Sequence, residues 1–234
     1  MERNMDNTVR LNEFEKFYKA LMSTAPQGYV PWFFPIKAGN KDPDGYCIAL
    51  RANADTPQNE RSSWKAQHAR LTYEEAKAYI INGRNIGIAA RKEDPLHIAD
   101  SDSEVNGFNL KGMMCVSRTR FGRHFFNWMQ PELKRNIATD KDGEVRAVDQ
   151  YVVASGSFVK VTEGDLKKKF EEGSITKERI PELLSDENIG LYTYEGGVPD
   201  NISPLEIPEV FQKQLLKDVS SEAKQNTKEL KKTL

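Results

Sequence analysis

The stretch NIGIAARKEDPLHIADSDSEVNG, residues 85–107, joins two short β-forming runs, 86–90 and 96–100, through a polar turn. The second run ends in Asp100, Asp102 and Glu104, an acid at every second position. Alternate side chains of a strand share one face, so three like charges would stand together and repel. Two readings account for this. The acids belong to a polar turn that follows the strand, or cations sit between them.

Outward from this stretch, the same alternation of short elements continues. Residues 11–22 place Leu11, Phe14, Phe17, Tyr18, Leu21 and Met22 on one side of a helix. GYVPWFFPIKAGNKDPDG runs from aromatic to turn-rich and reads as a strand entering a loop. LTYEEAKAYIINGR carries Thr72 and Glu75 in capping-box spacing and Gly83 as a stop, which predicts a second helix. Further strand-like runs are 113–117, 124–128, 145–148 and 151–154. Beyond Glu163 the chain turns charged and helical, YEGGVPDNISPLEIP reads as a linker or wrapping loop, and the last twenty or so residues form a polar tail. Strands mixed with flanking helices argue for α/β or α+β.

Composition sets the outer bounds. A chain of 234 residues, 38% hydrophobic and with formal net charge −1, can build one large domain or two small ones. It has no 18-residue apolar run, and MERNMDNTVR has no signal-peptide core, so a cytoplasmic address is the default expectation. Cys47 and Cys115 are too few for a zinc site, and His68, His97 and His124 are too scattered for a histidine cluster. A near-zero net charge neither requires nor forbids a nucleic-acid partner, since a local basic groove would serve.

Two familiar loops fail on their spacing. A calcium loop starting at Asp100 has Val105 where glycine is needed and Lys111 where the closing glutamate belongs. GFNLKGMM approaches a phosphate-binding P-loop but lacks the Lys-Ser/Thr pair after its glycine. A magnesium or manganese site fits better. Carboxylates two apart at a strand end can bridge two divalent ions about 3.5–4 Å apart, and the cations remove the repulsion. Such a site needs a third acid and a basic element for phosphates. VSRTRFGRHFFNW supplies Arg118, Arg120 and Arg123 around a glycine turn, then His124 at the start of an aromatic strand. Arg120, Gly122 and His124 face one way on an extended segment, and an exposed glycine backbone suits a triphosphate. GEVRAVDQYVVASGS puts Glu144 and Arg146 on one strand face, with Asp149 in the next turn as a competing acid. Each piece alone is equally the signature of a surface turn or charged hairpin.

Together and in this order, the pieces resemble the archaeo-eukaryotic primase superfamily, in particular the prim-pol type of plasmid, phage and mobile-element replication proteins. The likeness is carried by the strand ending in Asp100-Ser101-Asp102, by Thr119 through His124 leading into Phe125 and Phe126, and by Glu144-Val145-Arg146 leading into YVVASGS and Ser157. NIGIAARKEDPLHIADSD and SSWKAQHARLTYEEA add to it, so it spans about residues 29–157. The chain departs from the family in having Gly122 for the usual serine, glutamate at 144 where aspartate is common, Ser155-Gly156 for a proline pair, and no cysteine cluster.

The resemblance implies an α+β catalytic domain over 8–200, with an N-terminal α/β module packed on an RRM-like mixed sheet, and a linker with a helical tail over 201–234. It implies a template-directed nucleotidyltransferase, a primase and DNA polymerase, using two Mg2+ or Mn2+ ions. The metal-holding catalytic acids would be Asp100, Asp102 and Glu144, and His124, Gly122, Arg120, Arg146 and Ser157 would bind the nucleotide. The implied partners are a DNA template and primer, NTP or dNTP, and a helicase, with no membrane. A metal-dependent nuclease could use the same carboxylates with a nearby lysine, Lys92 or Lys111. A non-catalytic replication initiator is the third class, against which stands the presence of all three acids.

Overall fold

A computed structural model describes residues 6–103, 115–118, 121–138, 143–186 and 189–203. The fold is α+β and starts with helix α1 (Asn7–Ser23), whose N-cap Asp6 accepts a hydrogen bond from the Thr8 N–H. Its stripe of Phe14, Phe17 and Leu21 is fully buried. Arg10 lies on the same buried side. Its guanidinium donates to the Gly156 carbonyl at 2.9 Å, to Asn85 Oδ1 at 2.8 Å and to the Arg84 carbonyl, while burial lowers its pKa to about 10. Gly156 is at φ +87°, and a Cβ there would lie 2.5 Å from the Arg10 carbonyl, so the contact requires glycine.

Strand β1 (Trp32–Ile36) follows, then the short helix α2 (Gly45–Ala49) and helix α3 (Tyr73–Ile81). The capping box of Thr72 and Glu75 forms at the start of α3, and Gly83 takes φ +74° after its end. The remaining elements are β2 (Asn85–Ala90), β3 (Leu96–Ser101), β4 (Cys115–Arg118), β5 (Arg123–Trp128), β6 (Ile137–Ala138), β7 (Gly143–Arg146), β8 (Gln150–Val153), α4 (Glu163–Glu171), α5 (Arg179–Ser185) and β9 (Thr193–Gly196).

These strands make two sheets, a three-stranded one in the order β1-β2-β8 and a six-stranded one in the order β6-β7-β3-β5-β4-β9. All strand pairings in both are antiparallel. The expectation of a mixed sheet is therefore corrected: neighbours such as β4 and β5 are joined by a hairpin, and a hairpin returns the chain antiparallel. Helix α1 packs against both sheets. One core cluster contains Phe14, Phe17 and Leu21 with Ile86 and Ile88 of the small sheet and Leu96, Ile98, Phe126 and Trp128 of the large one. The Phe17 and Phe126 rings lie 4.9 Å apart.

Two segments depart furthest from the sequence expectation. Strand β7 is Gly143–Arg146, not 145–148, because Asn136 Oδ1 accepts from both the Ala147 and Val148 N–H groups and turns the chain out of the ladder. Part of the presumed linker is strand β9, which pairs with β4 through a register shift at Val116/Ser117. The segment stays bound further on: Asp200 accepts from the Trp128 N–H, and the Ile202 N–H donates to Trp128. The helical tail expected beyond Ser203 lies outside the described residues. Among the described residues, no helix is long and apolar enough to cross a membrane.

Candidate metal centre

The sheet register assembles the site. Across four neighbouring strands, Ser117 pairs with His124, His124 with Asp100, and Asp100 with Glu144. Directly paired residues share a face, so the acids of β3 and β7 stand side by side although 44 positions separate them. Asp102 follows just past the end of β3. Carboxylate oxygens of Asp100, Asp102 and Glu144 all lie within 4.8 Å of one another. Asp100 is 5% exposed, and the other two are half-buried.

Like charges opposite one another destabilise a sheet, and two side chains offset this. His124 Nε2 lies 3.3 Å from Asp100 Oδ1. Arg146 reaches Asp100 Oδ2 through Nε at 3.2 Å, bonds Glu144 Oε1 through Nη2, and donates from Nη1 to the Tyr151 carbonyl at 3.1 Å. Proton affinities divide accordingly. Burial pushes the Asp100 carboxyl up, but His124 and Arg146 outweigh it and bring the pKa to about 2. Asp102 is raised by burial and then by the Asp100 charge. Glu144 is raised by burial and by the two neighbouring aspartates, against the opposing pull of Arg146.

Other expected residues are placed as follows. His124 lies within the sheet, on the strand between β3 and β4, and is 4% exposed; its Nδ1 is buried without a hydrogen-bond partner among the described residues. Gly122 sits where a Cβ would fall 1.7 Å from the Ser101 carbonyl oxygen and 3.3 Å from the Asp102 Cα. Its lack of a side chain lets the turn before β5 close over the strand end that carries Asp102. Arg123, next to His124 on β5, faces the other side of the strand and meets Glu195 at 2.6 Å. Asp149, at φ +50°, lies 3.3 Å from Arg91 and is not among the clustered acids. Arg120, Glu104 and Lys111 lie outside the described residues.

Ser157 is fully buried, its Oγ accepts from the Ile86 N–H at 3.0 Å, and its hydroxyl donates to the Ile86 carbonyl at 3.1 Å. Both bonds tie the turn after β8 to β2 and occupy the hydroxyl proton. Lys92 is an exposed residue of the β2–β3 turn, at the far end of β3 from Asp100. Two lysines that the sequence reading passed over stand near the acids instead. Lys169 of α4 donates to the Asp102 main-chain carbonyl at 3.4 Å, and the Lys41 charge acts on both Asp100 and Asp102. Their sequence contexts, a lysine run and a turn-rich loop, look like solvated surface and carried no signal.

The donor set suits a hard divalent cation. It consists of carboxylate oxygens only, without thiolate or imidazole clustering, as magnesium and manganese prefer. The three carboxylates are close enough together to hold a metal ion. Neither a protein-family model nor a curated protein matches the chain.

Proposed function

We propose that this chain is a template-directed nucleotidyltransferase of the primase-polymerase type, adding nucleotides from NTP or dNTP to a 3′-hydroxyl. The observation that carries the reading is the convergence of Asp100, Asp102 and Glu144 with His124 and Arg146 on one sheet face. The resemblance to the prim-pol proteins of mobile elements, with their RRM-like sheet and cleft, supports it.

Asp100, Asp102 and Glu144 would hold Mg2+ or Mn2+, which supplies Lewis-acid stabilisation and makes a hydroxyl nucleophilic at neutral pH. The 3′-oxygen then bonds to the α-phosphorus, the bond to the bridging oxygen breaks, and pyrophosphate leaves. Asp100 stays ionised throughout, because His124 and Arg146 hold its pKa at about 2. Arg146 keeps the Asp100 and Glu144 carboxylates in one geometry, a positioning task that leaves less of its guanidinium for phosphate. The unpartnered Nδ1 of His124 is the ring atom left for a triphosphate oxygen. Lys169 and Lys41 add positive charge beside Asp102, where departing pyrophosphate needs it.

A second reading has one observation in its favour. A metal-dependent nuclease calls for a lysine near its acids, and Lys169 is beside Asp102. One assay separates the two. The protein is incubated with a labelled primer on a template, all nucleotides and Mn2+. Elongated products support the polymerase, shortened strands support the nuclease, and unchanged strands overturn both.

A further inference from the structure

At the end of β3 opposite the acids, the structure contains a cavity of about 460 Å³. Its wall includes Tyr29, Trp32, Arg70, Arg91, Glu93 and Asp94. Two guanidinium groups lie near the Trp32 ring, with Arg91 Cζ 4.4 Å and Arg70 Cζ 5.5 Å from its centroid. Both are held in place. Arg91 meets Asp149 at 3.3 Å, and Arg70 donates to the Val30 carbonyl at 2.7 Å and the Pro31 carbonyl at 3.3 Å. Two polar groups in this wall are orphaned. The Tyr29 hydroxyl and Arg91 Nη1 are buried with no hydrogen-bond partner among the described residues, and Tyr29 is only 8% exposed. Burial and then the Asp94 charge keep the proton on Tyr29, so its hydroxyl is a donor.

This chemistry selects a ligand. Fixed guanidinium groups beside an indole form a platform for a flat ring. Unpaired donors call for ring or carbonyl acceptors, and Glu93 can accept from an exocyclic amine. The Glu93 carboxylate disfavours an acidic peptide or a phosphate placed inside, whereas that of Asp94 is paired with Lys134 at 2.9 Å. A nucleobase with its phosphates outside the cavity meets every condition.

The cavity also connects to the acid cluster. Trp32 pairs with Ala89, and Ala89 with Tyr151, so the two aromatic rings stand on one face with a small residue between them. Trp64 lies 5.1 Å from Tyr151, with Lys65 Nζ 5.4 Å from the Trp64 centroid. The Tyr151 carbonyl is the acceptor for Arg146 beside the acids. Interleaved aromatic rings and cations form a track for single strands.

We propose that the cavity and the Trp32–Trp64–Tyr151 track bind single-stranded nucleic acid, with one unpaired base entering between Arg70 and Arg91 beside Trp32. Nucleic acid as the source of that base rests on the nucleotidyl-transfer reading, whereas the cavity's demand for a flat, acceptor-bearing ring does not. Asp100 lies five positions along the chain from Pro95 at the cavity. At about 3.3 Å per residue that is about 16 Å, so the base site is a separate anchor for the strand.

The test is fluorescence anisotropy with a labelled twelve-nucleotide oligothymidylate, on the wild type, Trp32→Leu, Arg70→Gln and Tyr29→Phe, each checked for an unchanged melting profile. Trp32→Leu and Arg70→Gln are expected to weaken binding about tenfold, the loss of one stacked base, and Tyr29→Phe a few-fold. A wild type that binds the oligonucleotide but never extends a primer would defeat the nucleotidyl-transfer reading while this site stands. Folded Trp32→Leu and Arg70→Gln proteins that bind within twofold of wild type would overturn it. A 5-iodouracil oligonucleotide photo-crosslinked to the wild type gives an answer free of variants. Attachment to the peptide holding Tyr29 and Trp32 supports the site, and attachment only elsewhere overturns it.

Discussion

Replacing Arg146 by Gln tests whether this guanidinium stands in for a metal ion. Arg146 bonds both Asp100 and Glu144, and its side chain is 27% exposed against 8% for that of Asp100. Breaking a buried charge pair from one side costs about 3–5 kcal/mol. Partial exposure of Arg146, together with proton uptake by Asp102 or Glu144, lowers the expected loss to about 2–3 kcal/mol. For a chain of this size, each kcal/mol moves the midpoint by about 2–4 °C, so Arg146→Gln in EDTA near neutral pH should melt about 5–10 °C below wild type. Saturating Mn2+ stabilises a binding protein by about 2.7 kcal/mol at a hundredfold excess over Kd. The variant should gain more than wild type, because the cation restores the missing charge, and the gap should narrow. Differential scanning fluorimetry with EDTA and with Mn2+ reads both numbers. An equal gap under the two conditions would make Arg146 a framework pair only. Absence of any Mn2+ response in either protein would remove the metal site itself.

Asp100→Asn and Asp102→Asn should each cut primer extension by orders of magnitude, with oligonucleotide affinity measured by anisotropy nearly unchanged; extension at the wild-type rate in both would place the chemistry elsewhere. His124→Ala should raise the nucleotide concentration needed for half-maximal extension and also lower the melting temperature, since the imidazole is buried against Asp100. A lower melting temperature with an unchanged nucleotide titration would confine His124 to the framework. Gly122→Ala must displace the Ser101 carbonyl, 1.7 Å from the new methyl group, and should abolish the Mn2+-induced thermal shift; a retained shift would separate the turn from the site. Because Asp102 and Glu144 hold protons above the usual carboxylate range, the Mn2+ shift should grow as pH rises through that range, with protons released on binding. Calorimetry in buffers of different ionisation enthalpy would show this release, and an enthalpy independent of buffer would contradict it.

The sequence held much of this arrangement because its signals were local. Alternation and turn residues located β2, β3, β5 and β8, and the Thr72/Glu75 spacing located the start of α3. The Asp100–Asp102 pair was visible as an i, i+2 repeat. What joined Glu144 to it is register, and register is set by long-range pairing: Asp100 meets Glu144 only because β7 lies against β3. Strand β9 stayed hidden because its glycine-rich ends carry linker composition, and its pairing with β4 overrides that local preference. Lys169 could not be singled out from Lys167 and Lys168, since only the position of α4 brings one of the three to Asp102. The bonds of Ser157 to Ile86 were equally illegible, because a serine in a small-residue turn looks the same whether it faces a ligand or clamps a neighbouring strand.

One face of β3 is divided between stability and chemistry. Leu96 and Ile98 lie in the core with Phe17, Phe126 and Trp128, whereas Asp100 on the same face enters the acid cluster. Burying each large apolar side chain at the first end contributes about 1.5–3 kcal/mol, and crowding like charges at the second end costs stability. The core end carries that cost, and the two ends meet where the His124 and Phe126 rings lie 6.2 Å apart and where Arg146 pairs with Ile98. An amide in place of Asp102 removes repulsion with no ion pair to break among the described residues, so in EDTA the folded chain should lose no stability. This makes the acids testable: an unfolded Asp102→Asn protein would mean that Asp102 supports the fold, whereas a folded one without Mn2+ response assigns its charge to the ion.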